Sequence, residues 1–297
     1  MVAAETARSF PLDRVQLLSG ELKRRYELNR SYVMSLANRS LLQNFYLEAG
    51  LLSGIFRATS HGDPGAGDDW HWGWESPTCQ LRGHFLGHWL SAAARMVATT
   101  GDIEAKAKAD TIVAELARCQ ERNGGEWVFS IPEKYFDWIA QGHRVWAPQY
   151  TVHKTLMGLV DMAKFTGSEQ AAEILQRAAK WFTRWTGQFS REELDGILDV
   201  ETGAMLEAWA DLYGITGDPE HLELMRRYDR PRLFERLLAG EDPLTNRHAN
   251  TTIPEAHGPA RAYEVTGEER YRRIVEAYWT CAVTNRGTFC TGGQTNA

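Results

Sequence analysis

Apolar and polar positions follow a helical period over most of the chain, and one short motif divides the helical segments. Thr-Gly followed by a polar residue recurs at Thr100, Thr166, Thr216 and Thr266, and the last three are each 50 residues apart. A glycine directly after the last apolar position of a segment suits a left-handed helix end. Asp or Ser after that glycine suits the N-cap of the next helix. The pattern predicts four helix hairpins, each turning at a Thr-Gly motif.

The two helices of each predicted hairpin differ in polarity. The segments before the motifs are mostly apolar: 81–99, 150–165, 203–215 and 253–265. The segments after them are amphipathic and charged: 104–122, 169–185, 219–228 and 269–283. An apolar helix is buried on both sides, whereas an amphipathic helix has one face in water. Repeated hairpins of this kind indicate concentric helical layers in an (α/α) barrel, or an α-solenoid.

Segments 13–36 and 39–51 add an N-terminal helix pair, which gives five hairpins in all. Two long segments, 127–148 and 237–252, precede inner helices and are expected at the same end as the loop around residues 70–75. Such clustering favours the barrel. We predict an all-α (α/α)6 barrel, incomplete at about five hairpins, in a single domain of residues 1–297 that is shortened at its C-terminal end.

The stretch Leu81-Arg82-Gly83-His84-Phe85-Leu86-Gly87-His88 carries the first chemical signal. His84 and His88 are four residues apart and share one helix face. Gly83 and Gly87 have the same spacing, although each glycine costs about 1 kcal/mol inside a helix. We therefore expect another backbone to approach closely there.

Just upstream, the sequence Asp68-Asp69-Trp70-His71-Trp72-Gly73-Trp74-Glu75 is dense in indole rings and carboxylates. Flat aromatic faces stack on sugar rings, and imidazoles and carboxylates bind hydroxyl groups. This combination favours a carbohydrate ligand, with Trp74 and Glu75 among the candidate residues.

Further candidates lie at the same predicted end of other hairpins. His153 takes nearly the same repeat position as His88, and His248 precedes the fourth inner helix. Any one of these histidines could equally be a core or capping residue, and three together could bind a metal. Glu201 also lies at this end, so Glu75 and Glu201 are weak candidates for a catalytic carboxylate pair.

Composition narrows the class of protein. The 297 residues carry a net charge of −6 and no basic stripe, which argues against a nucleic-acid partner. Eleven tryptophans fit a large core with a few rings left for a cleft. No apolar run is long enough for a membrane span, and residues 1–10 lack the apolar core of a signal peptide, so we expect a cytoplasmic protein without a membrane partner. The four cysteines form no Cys-x-x-Cys pair.

Six motifs, in this order, resemble one family. They are Phe10-Pro11-Leu12-Asp13-Arg14-Val15, Gly73-Trp74-Glu75-Ser76, the stretch from Leu81 to His88, Val145-Trp146-Ala147-Pro148-Gln149-Tyr150-Thr151-Val152-His153-Lys154, His248-Ala249-Asn250-Thr251-Thr252-Ile253-Pro254 and Thr291-Gly292-Gly293. The chain resembles the catalytic domain of the β-L-arabinofuranosidases of glycoside hydrolase family 127. The resemblance implies an (α/α)6 barrel and removal of terminal β-L-arabinofuranosyl residues from glycans with retention.

The resemblance also implies a mechanism that this chain matches only in part. In the family, a zinc-bound cysteine thiolate is the nucleophile and a glutamate is the acid/base, on motifs that follow the Thr-Gly-Gly segment. None of the four cysteines here matches a zinc-ligand position, so we expect no cofactor in this chain. The substrate-binding half carries over: His88 and His153 match sugar-contacting histidines, while His248, Glu75, Trp74 and His84 lie in motifs of the family.

Three other readings stay open at this point. A shortened glycosidase could use a carboxylate pair on another sugar. A non-catalytic module could bind sugars or oligomerise, and an incomplete barrel would expose apolar helix faces that a homodimer could cover. A plain solenoid scaffold is the last reading, although a scaffold has little need of a tryptophan-rich loop beside histidines.

Overall fold

The structure, a computed structural model, describes residues 10–51 and 70–287. This part of the chain holds fourteen α-helices and no β-strand. The helices are α1 Glu21–Ser35, α2 Asn38–Leu41, α3 Gln43–Glu48, α4 His84–Thr100, α5 Ile103–Arg122, α6 Lys134–Ala140, α7 Pro148–Thr166, α8 Glu169–Gly187, α9 Arg191–Leu198, α10 Met205–Thr216, α11 Pro219–Arg227, α12 Pro231–Leu238, α13 Ala249–Thr266 and α14 Glu269–Trp279. The all-α fold class is confirmed.

All four Thr-Gly motifs end a helix as predicted. The glycines after Thr100, Thr166, Thr216 and Thr266 have φ angles of +67°, +68°, +66° and +71°, the left-handed conformation that glycine adopts without strain. Each threonine hydroxyl donates to the carbonyl four residues earlier, at 2.7–3.0 Å. The hydroxyl therefore adds a local hydrogen bond to a carbonyl group near the helix end, which gives threonine a role at this position.

The predicted caps of the following helices are confirmed in most cases. Asp102 accepts from the amide of Ala105 at 3.0 Å, and Asp218 accepts from that of Glu220 at 2.9 Å. Ser168 accepts from the amide of Ala171 at 3.3 Å. Glu268 occupies an N-cap position but its side chain makes no capping bond.

The N-terminal helices depart from the prediction. The first helix begins at Glu21, directly after Gly20, and not at Asp13, which lies in a short 3-10 turn, Leu12–Arg14. Val15 and Leu18 are exposed, so the apolar spacing there does not mark a buried helix face. The predicted second helix is split into α2 and α3.

Three helices lie in segments that were not predicted to be helical. They are α6, α9 and most of α12. Local signals were present for two of them. Ser190 and Glu193 form a reciprocal capping box at the start of α9, and Pro231 begins α12. The predicted helix 269–283 ends at Trp279 and continues as one π-helical turn, Thr280–Thr284.

The chain divides into two compact units between Trp181 and Phe182. In the first unit, α4 packs along α7 and against α5. A Cβ added to Gly87 would lie 1.8 Å from the carbonyl oxygen of Lys154, and one added to Gly158 would lie 2.7 Å from that of Gly87. The predicted close approach at Gly87 is therefore confirmed, because α4 and α7 touch backbone to backbone.

In the second unit, α10 packs against α11 and α13, and α13 packs against α14. Large rings fill its core, with the rings of Phe182 and Trp209 5.1 Å apart and Tyr228 beside them. Buried charge is concentrated at Arg230, which precedes α12.

Some expectations fall outside what the structure describes. Asp68, Cys290 and the Thr291-Gly292-Gly293 motif all lie outside the described residues. The single domain, the hairpin count and the homodimer stay predictions. Among the described helices, none has both the length and the apolar character needed to cross a bilayer.

Candidate functional site

The candidate site of the first unit is built around the N-terminal end of α4. The sequence predicted Gly83 inside the helix. In the structure it is instead the N-cap of α4, with φ +86°. A Cβ at this position would lie 2.1 Å from the Oγ of Ser130. Both the left-handed conformation and the lack of space therefore require glycine here.

Glu75 supplies hydrogen-bond acceptors and a negative charge to the N-terminal end of α4. Its Oε2 accepts from the amide of Gly83 at 2.6 Å, and its Oε1 accepts from the amide of Phe85 at 3.0 Å. The first amides of a helix have no partner within the helix, and the helix dipole favours negative charge there. Glu75 thus caps α4 from outside the helix, and both of its oxygens are engaged.

His84, the first residue of α4, also contacts this carboxylate. Its Nδ1 is 2.7 Å from Oε1 of Glu75 and 3.0 Å from the carbonyl oxygen of Leu81. Both neighbours only accept hydrogen bonds, so Nδ1 carries a proton. In the neutral ring, Nε2 is then the acceptor. The carboxylate therefore fixes both the tautomer and the orientation of His84.

Residues 71–75 form a short arch that two buried side chains of α3 hold in place. The side chain of Gln43 donates to the carbonyl oxygen of His71 and accepts from its amide, both at 2.8 Å, and it also donates to the carbonyl oxygen of Glu75 at 2.9 Å. Asn44 donates to the same Glu75 carbonyl at 2.8 Å. The arch is thus anchored at both ends.

The arch presents aromatic rings to solvent. Trp72 and Trp74 are 66% and 62% exposed, and Trp146, from the segment before α7, is 52% exposed. The ring of Trp74 lies 6.1 Å from that of His84 and 6.4 Å from that of Trp146. The predicted meeting of the tryptophan loop, the histidine helix and the 127–148 segment is confirmed within this unit.

The backbone around Trp146, just before α7, has two unusual features. The Trp146 amide donates to Oε1 of Gln80 at 2.7 Å. Ala147 has φ +49°, a left-handed conformation that is uncommon outside glycine. Strain of this kind persists only where the surroundings impose it, and it clusters at functional sites.

His88 lies one helical turn after His84, with ring centroids 6.2 Å apart. It is exposed on the surface of the unit. Partial desolvation by the surrounding protein lowers the pKa of His88, and the nearby Lys154 and His84 lower it further. Tyr150 completes this group, since its ring is 6.1 Å from His84 and carries the Lys154 ammonium 4.5 Å from its centroid.

His153 differs from His88 in its surroundings. The two residues adjoin the contact between α4 and α7, because Lys154 and Gly87 touch there. His153 is only 4% exposed, whereas His88 faces solvent. Equivalent repeat positions therefore do not give the two imidazoles equal access to a ligand.

The remaining candidates belong to the second unit. His248 is exposed at the N-cap of α13 and makes no capping bond with its side chain. Glu201 is half-buried just before α10. Glu207, on α10, lies 3.9 Å from Nδ1 of His257. The roles of these residues, like those of His153 and Glu75, stay predictions.

The described residues were also tested for the zinc chemistry that the resemblance implies. They contain no group of three His, Cys, Asp or Glu side chains placed to hold a metal ion. Cys79, Cys119 and Cys281 are free thiols, and burial raises the pKa of Cys119 to about 12, the opposite of a thiolate ligand. Within residues 10–51 and 70–287, the side chains do not fit a zinc–thiolate centre, so no reaction step is assigned to one.

The comparison with family models decides to which family the chain belongs. Residues 14–297 match the model described as β-L-arabinofuranosidase, GH127 catalytic domain. This chain belongs to that family. Among solved structures, it is similar to a GH127 β-L-arabinofuranosidase from Geobacillus stearothermophilus T6, with 18% identity and a TM-score of 0.59. At this identity the likeness shows a shared fold.

The same comparison sets the extent of the match. The alignment covers 93% of this chain and 46% of the solved chain, so this GH127 chain spans about half the length of that relative. No curated protein matches it. The description of the family model names a glycosidase activity.

Sequence reasoning missed the residues that hold this GH127 site together. Gln43 and Asn44 are fully or almost fully buried amides in a helix without any motif, and Gln80 lies in an irregular segment. The only signal was the presence of two adjacent amides in an otherwise apolar run, Leu41-Leu42-Gln43-Asn44-Phe45. Buried amides need partners, so such a pair predicts a specific contact.

Proposed function

We propose that this GH127 chain binds the terminal β-L-arabinofuranosyl residue of a glycan at the N-terminal end of α4 and serves in its hydrolysis with retention. One observation carries the proposal: Trp74 and Trp146 are exposed beside His84 and His88 on a backbone that buried groups hold in place. A family member of known activity, the Geobacillus enzyme, is described as a β-L-arabinofuranosidase.

The side chains have complementary tasks in this proposal. The indole face of Trp74 packs on the apolar face of the sugar ring. His84, protonated at Nδ1, offers Nε2 as an acceptor to a sugar hydroxyl. His88 has a lowered pKa and is a neutral ring at pH 7, so it offers one donor and one acceptor. The resemblance implies a sugar contact for His153 as well, whereas His248 only lies in a motif of the family.

Glu75 is proposed to orient the site more than to transfer protons. Its carboxylate accepts bonds from two backbone amides and from His84, which leaves little capacity for a reacting group. Glu201 remains the other carboxylate candidate.

Hydrolysis of a panel of nitrophenyl glycosides tests the proposal, with and without zinc, a chelator and a thiol reductant. The panel includes α- and β-L-arabinofuranosides and common pyranosides. We expect release from the β-L-arabinofuranoside, with the β-anomer of arabinose appearing first by NMR. Turnover of another glycoside that withstands chelation and cysteine alkylation would overturn the sugar assignment and favour a carboxylate pair.

A second candidate, a sugar-binding module without catalysis, is favoured by the engaged oxygens of Glu75. It predicts that methyl β-L-arabinofuranoside binds in calorimetry while no glycoside in the panel is cleaved. That result would retain the sugar and overturn the hydrolytic part of the proposal.

A further inference from the structure

Within the arch, Trp72 is the exposed ring that the proposed function leaves without a task. Burying an indole removes a large apolar surface from water, so folding alone gives no reason to hold this ring 66% exposed. The ring of Trp70 lies 6.4 Å away and is tilted by 34° to it. Trp72 and Trp70 thus form an aromatic pair separate from that of Trp74 and Trp146.

The backbone that carries Trp72 is fixed on both sides. His71, directly before it, exchanges two hydrogen bonds with Gln43, and the His71 ring packs edge-on against Phe85 at 6.3 Å. Glu75, three residues later, is tied to α3 and to the end of α4. An exposed ring on a loosely attached loop would lose conformational entropy on binding. The backbone that carries Trp72 is already fixed before a ligand binds, so binding costs less conformational entropy, as expected of a binding platform.

Trp72 is also close to the site proposed for the terminal sugar. Only Gly73 separates it from Trp74, so their Cα atoms are at most about 7 Å apart. Gly73 has φ +67°, a left-handed conformation that makes the arch turn between the two rings. The two aromatic pairs therefore adjoin on one short, anchored segment.

We propose that Trp72, together with Trp70, binds the sugar ring next to the terminal residue, so that the site prefers an oligosaccharide or glycan chain to a small arabinofuranoside. This inference rests on the proposed function, because it places the terminal sugar on Trp74. The occupant is a sugar ring because the pair continues a surface of exposed indoles and imidazoles, and no charged group of the arch other than the engaged Glu75 would select an ion.

Calorimetry with two ligands tests the inference: methyl β-L-arabinofuranoside and a β-L-arabinofuranosyl disaccharide. We expect the wild-type chain to bind the disaccharide about tenfold more tightly, which corresponds to one added stacking contact. Trp72→Ala should remove this advantage, so that the ratio of the two dissociation constants falls to about one. Trp72→Phe, which keeps an aromatic face, should restore part of it.

Trp279→Ala is the matched control, since Trp279 is 62% exposed on α14, a helix without candidate site residues. It should change neither dissociation constant, and thermal unfolding checks that each variant is folded. Equal wild-type affinities for the two ligands, or an equal loss for both in Trp72→Ala, would overturn the second platform while leaving the proposed function intact. If neither ligand binds, the proposed function fails and this inference with it.

Discussion

Two carboxylates that are fully engaged by protein groups, one in each unit, show how the units differ. Glu75 in the first unit is paired with backbone amides and an imidazole at a helix end. Glu255 in the second unit lies inside α13 and is paired with Arg230, whose guanidinium also binds Asp195 and Asp199. In the first unit, polar contacts hold a surface of exposed rings. In the second, charges hold α9, α12 and α13 to each other.

This difference between the two units indicates which kind of feature is the better sign of a functional site. Buried ion clusters perturb pKa values strongly, yet the cluster at Arg230 joins three helices, and of its carboxylates only Asp199 is partly exposed. The site end of the first unit has milder electrostatics but leaves large apolar rings in water, which only a ligand or partner would cover. Exposed, anchored aromatics are therefore the stronger functional sign in this chain.

The largest expected effect is the loss of Arg230. Arg230→Met leaves Glu255 and Asp195 buried without their counter-charge, and we expect the free energy of unfolding to fall by about 3–5 kcal/mol. Urea denaturation measures it. Arg272→Met, which removes an exposed ion pair with Glu269, is the control and should leave the midpoint nearly unchanged. A similar small change in both variants would contradict a structural role for the cluster.

Glu75→Gln should have the next largest effect. The amide keeps the shape but loses the charge that caps α4, so we expect a loss of about 1–3 kcal/mol in unfolding free energy. Because His84 loses its partner, affinity for methyl β-L-arabinofuranoside should also fall. The control is Glu121→Gln, an exposed carboxylate on α5. Unchanged stability together with complete loss of hydrolysis would instead make Glu75 a catalytic group.

Gly87→Ala tests the helix contact beneath the site. The added methyl would meet the Lys154 carbonyl, so α4 and α7 must separate, at about 1–3 kcal/mol. Gly187→Ala, at a helical glycine with open space around it, should instead stabilise by up to about 1 kcal/mol. Thermal or urea unfolding of the two variants compares them. Stabilisation by both would show that the helices do not touch at Gly87.

The smallest expected effect is a pH dependence confined to the second unit. Burial raises the pKa of Glu255 from 4.5 to about 7, Asp199 and Asp195 add to the rise, and Arg230 opposes it. Between about pH 5 and 7 the folded state then holds a proton that the unfolded state has released. The stability that this proton contributes is lost as the pH rises.

The measurement is the difference in unfolding free energy between the wild type and Glu255→Gln at several pH values. We expect the wild type to gain stability relative to the variant as the pH falls from 7 to 5. A constant difference, or one of opposite sign, would contradict a pKa of Glu255 near 7.

Local features of this fold could be predicted from sequence, and contacts between distant residues could not. The Thr-Gly helix ends and the Asp102 and Asp218 caps depend on neighbours within a few residues, so the sequence pattern was sufficient. The cap of α4 and the hydrogen bonds that anchor the arch depend on pairs 8 to 32 residues apart, such as Glu75 with Gly83 and Gln43 with Glu75. No local pattern specifies such pairs.

The candidate site followed the same division. Trp74, His84 and His88 were predicted together, because one motif and one helical spacing join them. The difference in burial between His88 and His153 was not, since it arises from how α4 and α7 pack. Tyr150 and Gln80 were not singled out for the same reason.

The most direct test of the central claim is NMR of the tryptophan indole N–H signals during titration with methyl β-L-arabinofuranoside. The account predicts saturable shifts of the Trp74 and Trp146 signals, assigned through Trp→Phe variants, while the Trp279 signal stays in place. Shifts confined to Trp209 or Trp279 of the second unit would contradict a sugar site at the end of α4. The absence of any shift, at ligand concentrations at which hydrolysis is observed, would contradict it as well.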